Sequence, residues 1–158
     1  MAPLKFGVGY RCETAEETAE YGRSLSVLLR KGSVVALEGP LGVGKTTFAR
    51  GVLRGLGVDD PITSPTYTLV NEYELPAADD SAARMAYHVD LYRIERSIEF
   101  ELVGSDELLN GEAIAIVEWS EKAASLLPAH AIFVRFSIEP GGARNITVTG
   151  PENADTGN

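Results

Sequence analysis

The stretch of this sequence that most directly indicates chemistry is "GPLGVGKT", residues 39–46, which matches the pattern G-x-x-x-x-G-K-[ST]. Glycines let successive backbone N–H groups turn inward around phosphate groups without a Cβ atom in the way. Lys45 adds a positive charge for the β and γ phosphates, and the Thr46 hydroxyl is a ligand for Mg²⁺. A glycine-rich turn with an incidental lysine is the simpler alternative, but the pattern favours a nucleoside triphosphate site.

Such a site needs a carboxylate near the metal and a group that orients the attacking water, and two acids compete for these roles. Glu118 ends the apolar run "AIAIV", as expected of a buried strand that delivers one carboxylate beside the phosphates. Asp90 lies within "HVDLYR". The alternative for Glu118 is a strand-end acid that faces solvent, and for Asp90 it is a salt bridge to Arg93 or a hydrogen bond to Tyr92.

The stretch "MAYHVDLYR", residues 85–93, has the alternation of a β-strand. Val89 and Leu91 point to one face, and His88, Asp90 and Tyr92 point to the other. The polar face suits either a buried structural network or a metal ion. His88 is interpreted as a structural histidine that orients the neighbouring acid or packs the strand.

Two further features near the predicted site have competing interpretations. The hydroxyl-rich stretch "TSPTYT", residues 63–68, is typical of a switch segment that senses a γ-phosphate, and it equally suits a Ser-Pro turn that opens a β-hairpin. For Trp119, a role as a core anchor is favoured over stacking on a base.

The elements that must position these residues alternate early in the chain. Thr14 and Glu17 form a capping-box pattern that begins a helix over about residues 14–31. The apolar "SVVALEG", residues 33–39, predicts a buried strand. A second helix is predicted to start near Lys45 and to stop at Gly55 or Gly57.

Hairpins follow in the second half. Residues 66–75 and the strand at 85–93 are predicted to pair, and strands are expected at 113–119, 131–138 and 145–150, with a short helix ended by Pro128. The pattern predicts an α/β fold with three layers and a sheet of mixed direction. We expect a single domain over residues 1–150 and a disordered tail over residues 151–158.

Composition excludes several classes of protein. The net charge of -9 is the opposite of what binding to a phosphate backbone requires, so direct contact with nucleic acid is not expected. No segment approaches the length of apolar chain that a membrane helix needs, and a cytoplasmic location is the default expectation. Cys12 is the only cysteine, which excludes an intrachain disulfide and a cysteine-based zinc cluster.

Four blocks, in this order and at these spacings, give the chain a family resemblance over roughly residues 14–138. They are "GPLGVGKTTFARGVLRGLG", "SPTYTLVNEY", "HVDLYR" and "VEW". Together they resemble the TsaE family, small bacterial ATPases of tRNA threonylcarbamoyladenosine synthesis. The resemblance implies a P-loop NTPase-like domain, ATP with Mg²⁺ as ligands, and TsaB and TsaD as protein partners.

The resemblance also implies roles for individual residues. Asp90 and Glu118 match the acids at the metal and the hydrolytic water, without a decision on which does which, and Lys45 counts with them as catalytic. Thr46 would bind the metal, Ser64 and Thr66 would belong to a switch-like loop, and Thr14 would lie beside the base. The phosphate-binding run would comprise Gly39, Pro40, Leu41, Gly42, Val43, Gly44, Lys45, Thr46 and Thr47.

Two stretches depart from the family pattern, namely residues 74–86, which are long and acidic, and residues 94–109. Both lie away from the phosphate motifs, so they affect the expected partner contacts and leave the predicted nucleotide site intact. Alternative functions are a small-molecule kinase, a GTP-dependent switch and a non-hydrolysing nucleotide-binding subunit. The arginines are dispersed and the guanine-reading pattern N-K-x-D is absent from the sequence, which disfavours the first two. No arginine stands in a recognisable finger motif, so slow intrinsic hydrolysis is expected.

Overall fold

The computed structural model describes residues 4–63, 65 and 69–151 and contains one seven-stranded sheet. The strands are β1 (Gly9–Cys12), β2 (Val34–Glu38), β3 (Val70–Glu74), β4 (Met85–Asp90), β5 (Ile114–Glu118), β6 (Ile132–Ile138) and β7 (Arg144–Thr149). Their spatial order is β1-β7-β6-β2-β5-β4-β3. The central β4, β5, β2 and β6 are parallel, whereas β3, β7 and β1 pair antiparallel with their neighbours. The predicted mixed sheet is therefore confirmed.

The helices are α1 (Ala15–Ser26), α2 (Lys45–Gly55), α3 (Ser97–Leu102), α4 (Ser105–Leu108) and a 3₁₀ helix (Ser120–Leu126). Strand β1 was not predicted from the sequence, and α3 and α4 lie within residues 94–109, one of the two stretches that depart from the family pattern. None of the helices in the described ranges has the length and apolar character needed to cross a membrane.

Helix α1 begins as predicted and ends earlier than predicted. The Thr14 side chain accepts a hydrogen bond from the backbone N–H of Glu17 at 3.1 Å, and the Glu17 carboxylate accepts one from the backbone N–H of Glu13 at 2.7 Å. At the other end, the N–H of Leu28 bonds to the carbonyl of Leu25, the tighter spacing of a 3₁₀ turn. The regular α-helix therefore stops at Ser26 rather than near residue 31.

Helices α1 and α2 pack at very close range because glycines line their contact. A Cβ atom added to Gly22 of α1 would lie 2.2 Å from the carbonyl oxygen of Phe48, and one added to Gly51 of α2 would lie 2.0 Å from that of Ala19. Helix α2 then ends in a Schellman motif in which Gly57 has φ 98°. The predicted role of Gly57 as the stop signal is therefore confirmed.

Two apolar cores, one on each face of the sheet, produce the predicted three layers. The core under α1 and α2 contains Leu25, Phe48, Val52, Leu37 and Ile116. The core under α3, α4 and the 3₁₀ helix contains Phe100, Leu108, Ala123, Val89 and Val117. Alternate residues of β4 and β5 thus face opposite cores, as the pleat requires.

Candidate functional site

The site lies where three neighbouring parallel strands end. The glycine-rich loop of residues 39–46, named the P-loop for its sequence pattern, follows β2. Glu118 is the last residue of β5, and Asp90 is the last residue of β4. In the register of the sheet, Glu118 lies opposite Leu37 on one side and opposite Asp90 on the other. Residues that are far apart in the chain are therefore adjacent at one edge of the sheet, the usual place for a ligand site in an open α/β sheet.

The glycines of the P-loop have backbone conformations that L-residues with a side chain rarely adopt. Gly42 has φ 77° and Gly44 has φ 111°. Gly44 is the N-cap residue of α2. Because glycine has no side chain, it cannot cap the backbone N–H groups of the first helical turn. An uncapped helix N-terminus preceded by a glycine-rich turn is a ready acceptor of phosphate groups.

Lys45 lies folded back on its own loop. Its Nζ atom donates hydrogen bonds to the carbonyl oxygens of Gly39 at 2.5 Å and Pro40 at 2.8 Å, and it lies 3.8 Å from the centroid of the Trp119 ring. Only 4% of Lys45 is exposed. Burial lowers the pKa of Lys45 below its ordinary value, and the nearby carboxylates, with Glu118 first among them, partly offset this effect.

Glu118 is hydrogen-bonded to the first turn of α2. The Thr46 hydroxyl lies 2.8 Å and 3.0 Å from its two carboxylate oxygens. Glu118 is only 3% exposed, so the alternative of a strand-end acid facing solvent is wrong. His88, which we expected to orient Asp90 or pack the strand, is fully buried within the sheet, and the acid to which it is hydrogen-bonded is Glu118, with Nε2 2.5 Å from Oε2.

Asp90 is buried at the same edge, with 6% exposure. Its Oδ1 atom accepts a hydrogen bond from the backbone N–H of Tyr92 at 2.9 Å. The predicted alternative of a bond to Tyr92 is thus present, but it comes from the backbone and not from the phenol. This turn holds the carboxylate in place beside the P-loop.

These side chains line a cavity of about 310 Å³. Mg²⁺ in nucleotide sites takes oxygen ligands from a hydroxyl, one or two carboxylates and the phosphates themselves. The described residues contain no cluster of three or more His, Cys, Asp or Glu that could hold a metal alone, but the hydroxyl of Thr46 and the carboxylates of Asp90 and Glu118 fit a shared site. The lining residues are Leu41, Gly42, Gly44, Lys45, Thr46, Thr47, Asp90, Tyr92, Glu118 and Trp119.

A second cavity, of about 290 Å³, lies on the other side of the same loop and shares Gly42, Gly44 and Thr47 with the first. Thr14 lines it, and its place beside the base stays a prediction. Arg144 of β7, which sequence reasoning missed, also lines it. No local pattern marks this arginine as functional.

Arg144 is hydrogen-bonded to the backbone of the P-loop. Its Nε atom donates to the carbonyl oxygen of Val43 at 3.1 Å, and its Nη2 atom donates to that of Gly42 at 3.3 Å. A third bond, from Nη1 to the carbonyl oxygen of Gly142 at 2.6 Å, fixes the guanidinium to its own hairpin. Arg144 therefore links the end of the sheet to the glycine-rich loop.

The favoured role of Trp119 as a core residue is confirmed, and stacking on a base stays a prediction. Trp119 packs against the core under α3 and α4, and it also lines the first cavity. Its backbone has φ 57°, a left-handed conformation that costs free energy in a bulky residue and is common at functional sites. The ring of Tyr92 lies 5.1 Å away, centroid to centroid. Ser64 and Thr66, predicted to form the switch-like loop, lie outside the described residues, as do residues 152–158 of the predicted tail.

Comparison with known proteins gives a consistent family match. Residues 12–146 match the family model described as threonylcarbamoyl adenosine biosynthesis protein TsaE. The chain is 37% identical over 140 residues to the protein of that name from Treponema pallidum, with 87% of this chain and 98% of that protein covered. It is 40% identical over 129 residues to the one from Haemophilus influenzae, with 82% and 77% covered.

The fold has a similar solved structure. The crystal structure of Bacillus subtilis YdiB superposes with a TM-score of 0.71 at 31% sequence identity. The similarity covers 92% of this chain and 86% of that one. The fold predicted from the sequence is therefore confirmed by an independently solved structure.

Proposed function

Because this chain belongs to the TsaE family, we propose that it binds ATP with Mg²⁺ and hydrolyses the nucleotide in support of tRNA threonylcarbamoyladenosine modification. The observation that carries the proposal is the contact between Thr46 and Glu118. It brings the hydroxyl of the P-loop helix and a buried carboxylate to one point in a cavity that also contains Lys45 and Asp90.

Each residue of the site has a distinct task in this proposal. The backbone N–H groups of the P-loop bind the phosphates, and Lys45 exchanges its carbonyl partners for the β and γ phosphates. Thr46, Asp90 and Glu118 supply the oxygen ligands for the metal and the acceptor that orients water. Bound Mg²⁺ would neutralise charge on the phosphates. Burial of both acids excludes bulk water and so strengthens these electrostatic interactions.

Among the described residues, no arginine lines the cavity that contains Lys45 and Glu118, and we propose that turnover is slow until partner proteins complete the site. The partners are TsaB and TsaD, and the chemistry on the adenosine belongs to them. A net charge of -9 makes a direct grip on tRNA unfavourable, so the chain acts through protein contacts. We place this activity in the cytoplasm.

The test is a pull-down with purified TsaB and TsaD in the absence of nucleotide and with ADP or ATP, combined with measurement of phosphate release. We expect a complex in at least one nucleotide state and faster hydrolysis within it. Glu118→Ala should still bind ATP but lose turnover. Turnover of Glu118→Ala equal to that of the wild type would contradict hydrolysis at this site, and no complex in any nucleotide state would contradict the partner assignment.

A further inference from the structure

His88 is the most deeply buried ionisable residue near the site, with 0% exposure. It stands on β4 opposite Ile116 of β5, two residues before Asp90, on the face that packs against α1 and α2. Its Nε2 atom lies 2.5 Å from Oε2 of Glu118. A carboxylate can only accept hydrogen bonds, so Nε2 carries the proton and donates it.

The other ring nitrogen argues against a purely structural role. Within the described part of the chain, Nδ1 of His88 is buried and has no hydrogen-bond partner. A buried polar atom without a partner costs about 1–3 kcal/mol, so an apolar side chain of similar volume would suit the core at least as well. Among the described residues, the hydrogen bond to Glu118 is the polar contact that offsets this cost and gives a histidine a reason to stand here.

That contact matters because the two partners of Glu118 differ. The Thr46 hydroxyl bonds to both carboxylate oxygens, whereas His88 bonds to Oε2 alone. In the proposed function, Thr46 would be one of the residues that hold the metal, and its hydroxyl would then give up the bond to Glu118. Among the described residues, His88 is then the remaining side chain that holds the carboxylate.

We propose that His88 is a positioning residue for Glu118 in ATP hydrolysis. It holds Oε2 of Glu118 by a hydrogen bond from the core side when Thr46 leaves Glu118 for the metal. The carboxylate of Glu118 therefore keeps its orientation toward the cavity. The inference rests on the proposed function, because it assigns His88 a part in the same site. Partners that orient a functional carboxylate from behind typically change activity 10–100-fold when they are removed.

The experiment compares His88→Leu, which fills the space without a donor, with His88→Gln, whose amide can donate to Glu118. We expect His88→Leu to lower kcat by about tenfold or more with the KM for ATP changed less than about twofold, and His88→Gln to recover most of the loss. His130→Leu is the matched control, because His130 is an exposed histidine that contacts the Gly32 carbonyl at the amino-terminal edge of the sheet. It should leave both constants unchanged.

A second readout does not depend on turnover. In the protein without nucleotide, the Nε2 proton of His88 should give a strongly downfield proton resonance that disappears in Glu118→Ala and remains in His130→Leu.

Three results would overturn the inference. They are equal kcat in His88→Leu and the wild type, equal defects in the Leu and Gln variants, and a downfield resonance that persists in Glu118→Ala. Each of these leaves the proposed function intact. Failure of the wild-type chain to hydrolyse ATP, alone and with TsaB and TsaD, would instead remove the proposed function and this inference together.

Discussion

The ammonium group of Lys45 lies 3.8 Å from the centroid of the Trp119 ring while it donates hydrogen bonds to the carbonyls of Gly39 and Pro40. These contacts offset the cost of removing the charged Lys45 ammonium group, which is almost fully buried, from water. In the proposed function, the same ammonium group binds the phosphates of the nucleotide. Nucleotide binding should therefore break the contact between Lys45 and the Trp119 ring. Trp119 is also the only tryptophan in the sequence, which makes this coupling observable.

Addition of ATP is therefore expected to change the fluorescence of Trp119, because the charge above its ring moves away. Lys45→Met should show altered emission before any nucleotide is added and little further change on titration. Lys122→Met is the matched control, since Lys122 lies 5.7 Å from the same ring and donates to the backbone carbonyls of Tyr92 and Ile94. It should keep the ATP response. Binding of ATP by calorimetry with constant emission would contradict this prediction.

The lowered pKa of Lys45 predicts loss of ATP affinity on the alkaline side. Only the protonated form attracts phosphate, so affinity should fall as the pH rises through a pKa that lies below the ordinary value of 10.5. Stability should move in the opposite direction. Between the folded and unfolded pKa values the unfolded chain binds more protons, so the contribution of Lys45 to the free energy of unfolding rises with pH.

The measurement is the dissociation constant of ATP and the melting temperature on the same samples between pH 7 and about pH 10. A loss of affinity that tracks a loss of folded protein would show that unfolding, and not deprotonation of Lys45, is responsible.

Asp90→Asn should weaken Mg²⁺-dependent hydrolysis far more than it weakens folding. The amide oxygen can still accept the bond from the backbone N–H of Tyr92, so the turn survives while the charge is lost. We expect at least a tenfold fall in kcat with a shift in melting temperature of a few degrees at most. Asp79→Asn is the control, because Oδ1 of exposed Asp79 accepts the backbone N–H of Ser81 in the same way. If Asp90→Asn lowers the melting temperature strongly but hydrolyses ATP at the normal rate, Asp90 has a structural role and not a role in hydrolysis.

Arg144→Ala should weaken ATP binding because it removes the bonds to the Val43 and Gly42 carbonyls. Without these hydrogen bonds the P-loop has more conformational freedom to lose when it binds phosphate. We therefore expect the KM for ATP to rise about tenfold with little change in kcat. Arg135→Ala tests the loss of a neighbouring arginine, since Arg135 on β6 pairs with Glu38 and is more than half exposed. An unchanged KM in Arg144→Ala would show that the loop holds its shape alone.

Gly51→Ala should destabilise the fold by about 2 kcal/mol or more, although alanine has the better helix propensity by about 1 kcal/mol. The reason is that the new Cβ atom would lie 2.0 Å from the carbonyl oxygen of Ala19, a backbone atom that cannot move alone. Chemical denaturation measures this change. Arg50→Ala, at an exposed position of the same helix, should stay within about 0.5 kcal/mol of the wild type.

Most of the fold could be read from periodicity, because apolar alternation marks strands and i, i+3, i+4 spacing marks helices. The elements that escaped prediction are short or polar. Strand β1 has only four residues and its partner β7 is far away in the chain, so its pairing has no local signal. Helix α1 was predicted too long because apolar residues continue past Ser26, although exposed Val27 no longer has a core to cover.

The sequence by itself determined the glycine-rich loop, the helix that follows it and the apolar strand that delivers Glu118, because these depend on residue types at fixed local spacing. It placed Asp90 inside a strand over residues 85–93, whereas the strand ends at Asp90. The tertiary structure decided which residues meet. Glu118 contacts Thr46 across a separation of 72 residues, and His88 contacts Glu118 rather than its neighbour Asp90. Strand order is the physical reason. The sheet inserts β5 between β2 and β4, and lateral neighbours in a sheet are set by the packing of whole elements, which no local pattern in the chain records.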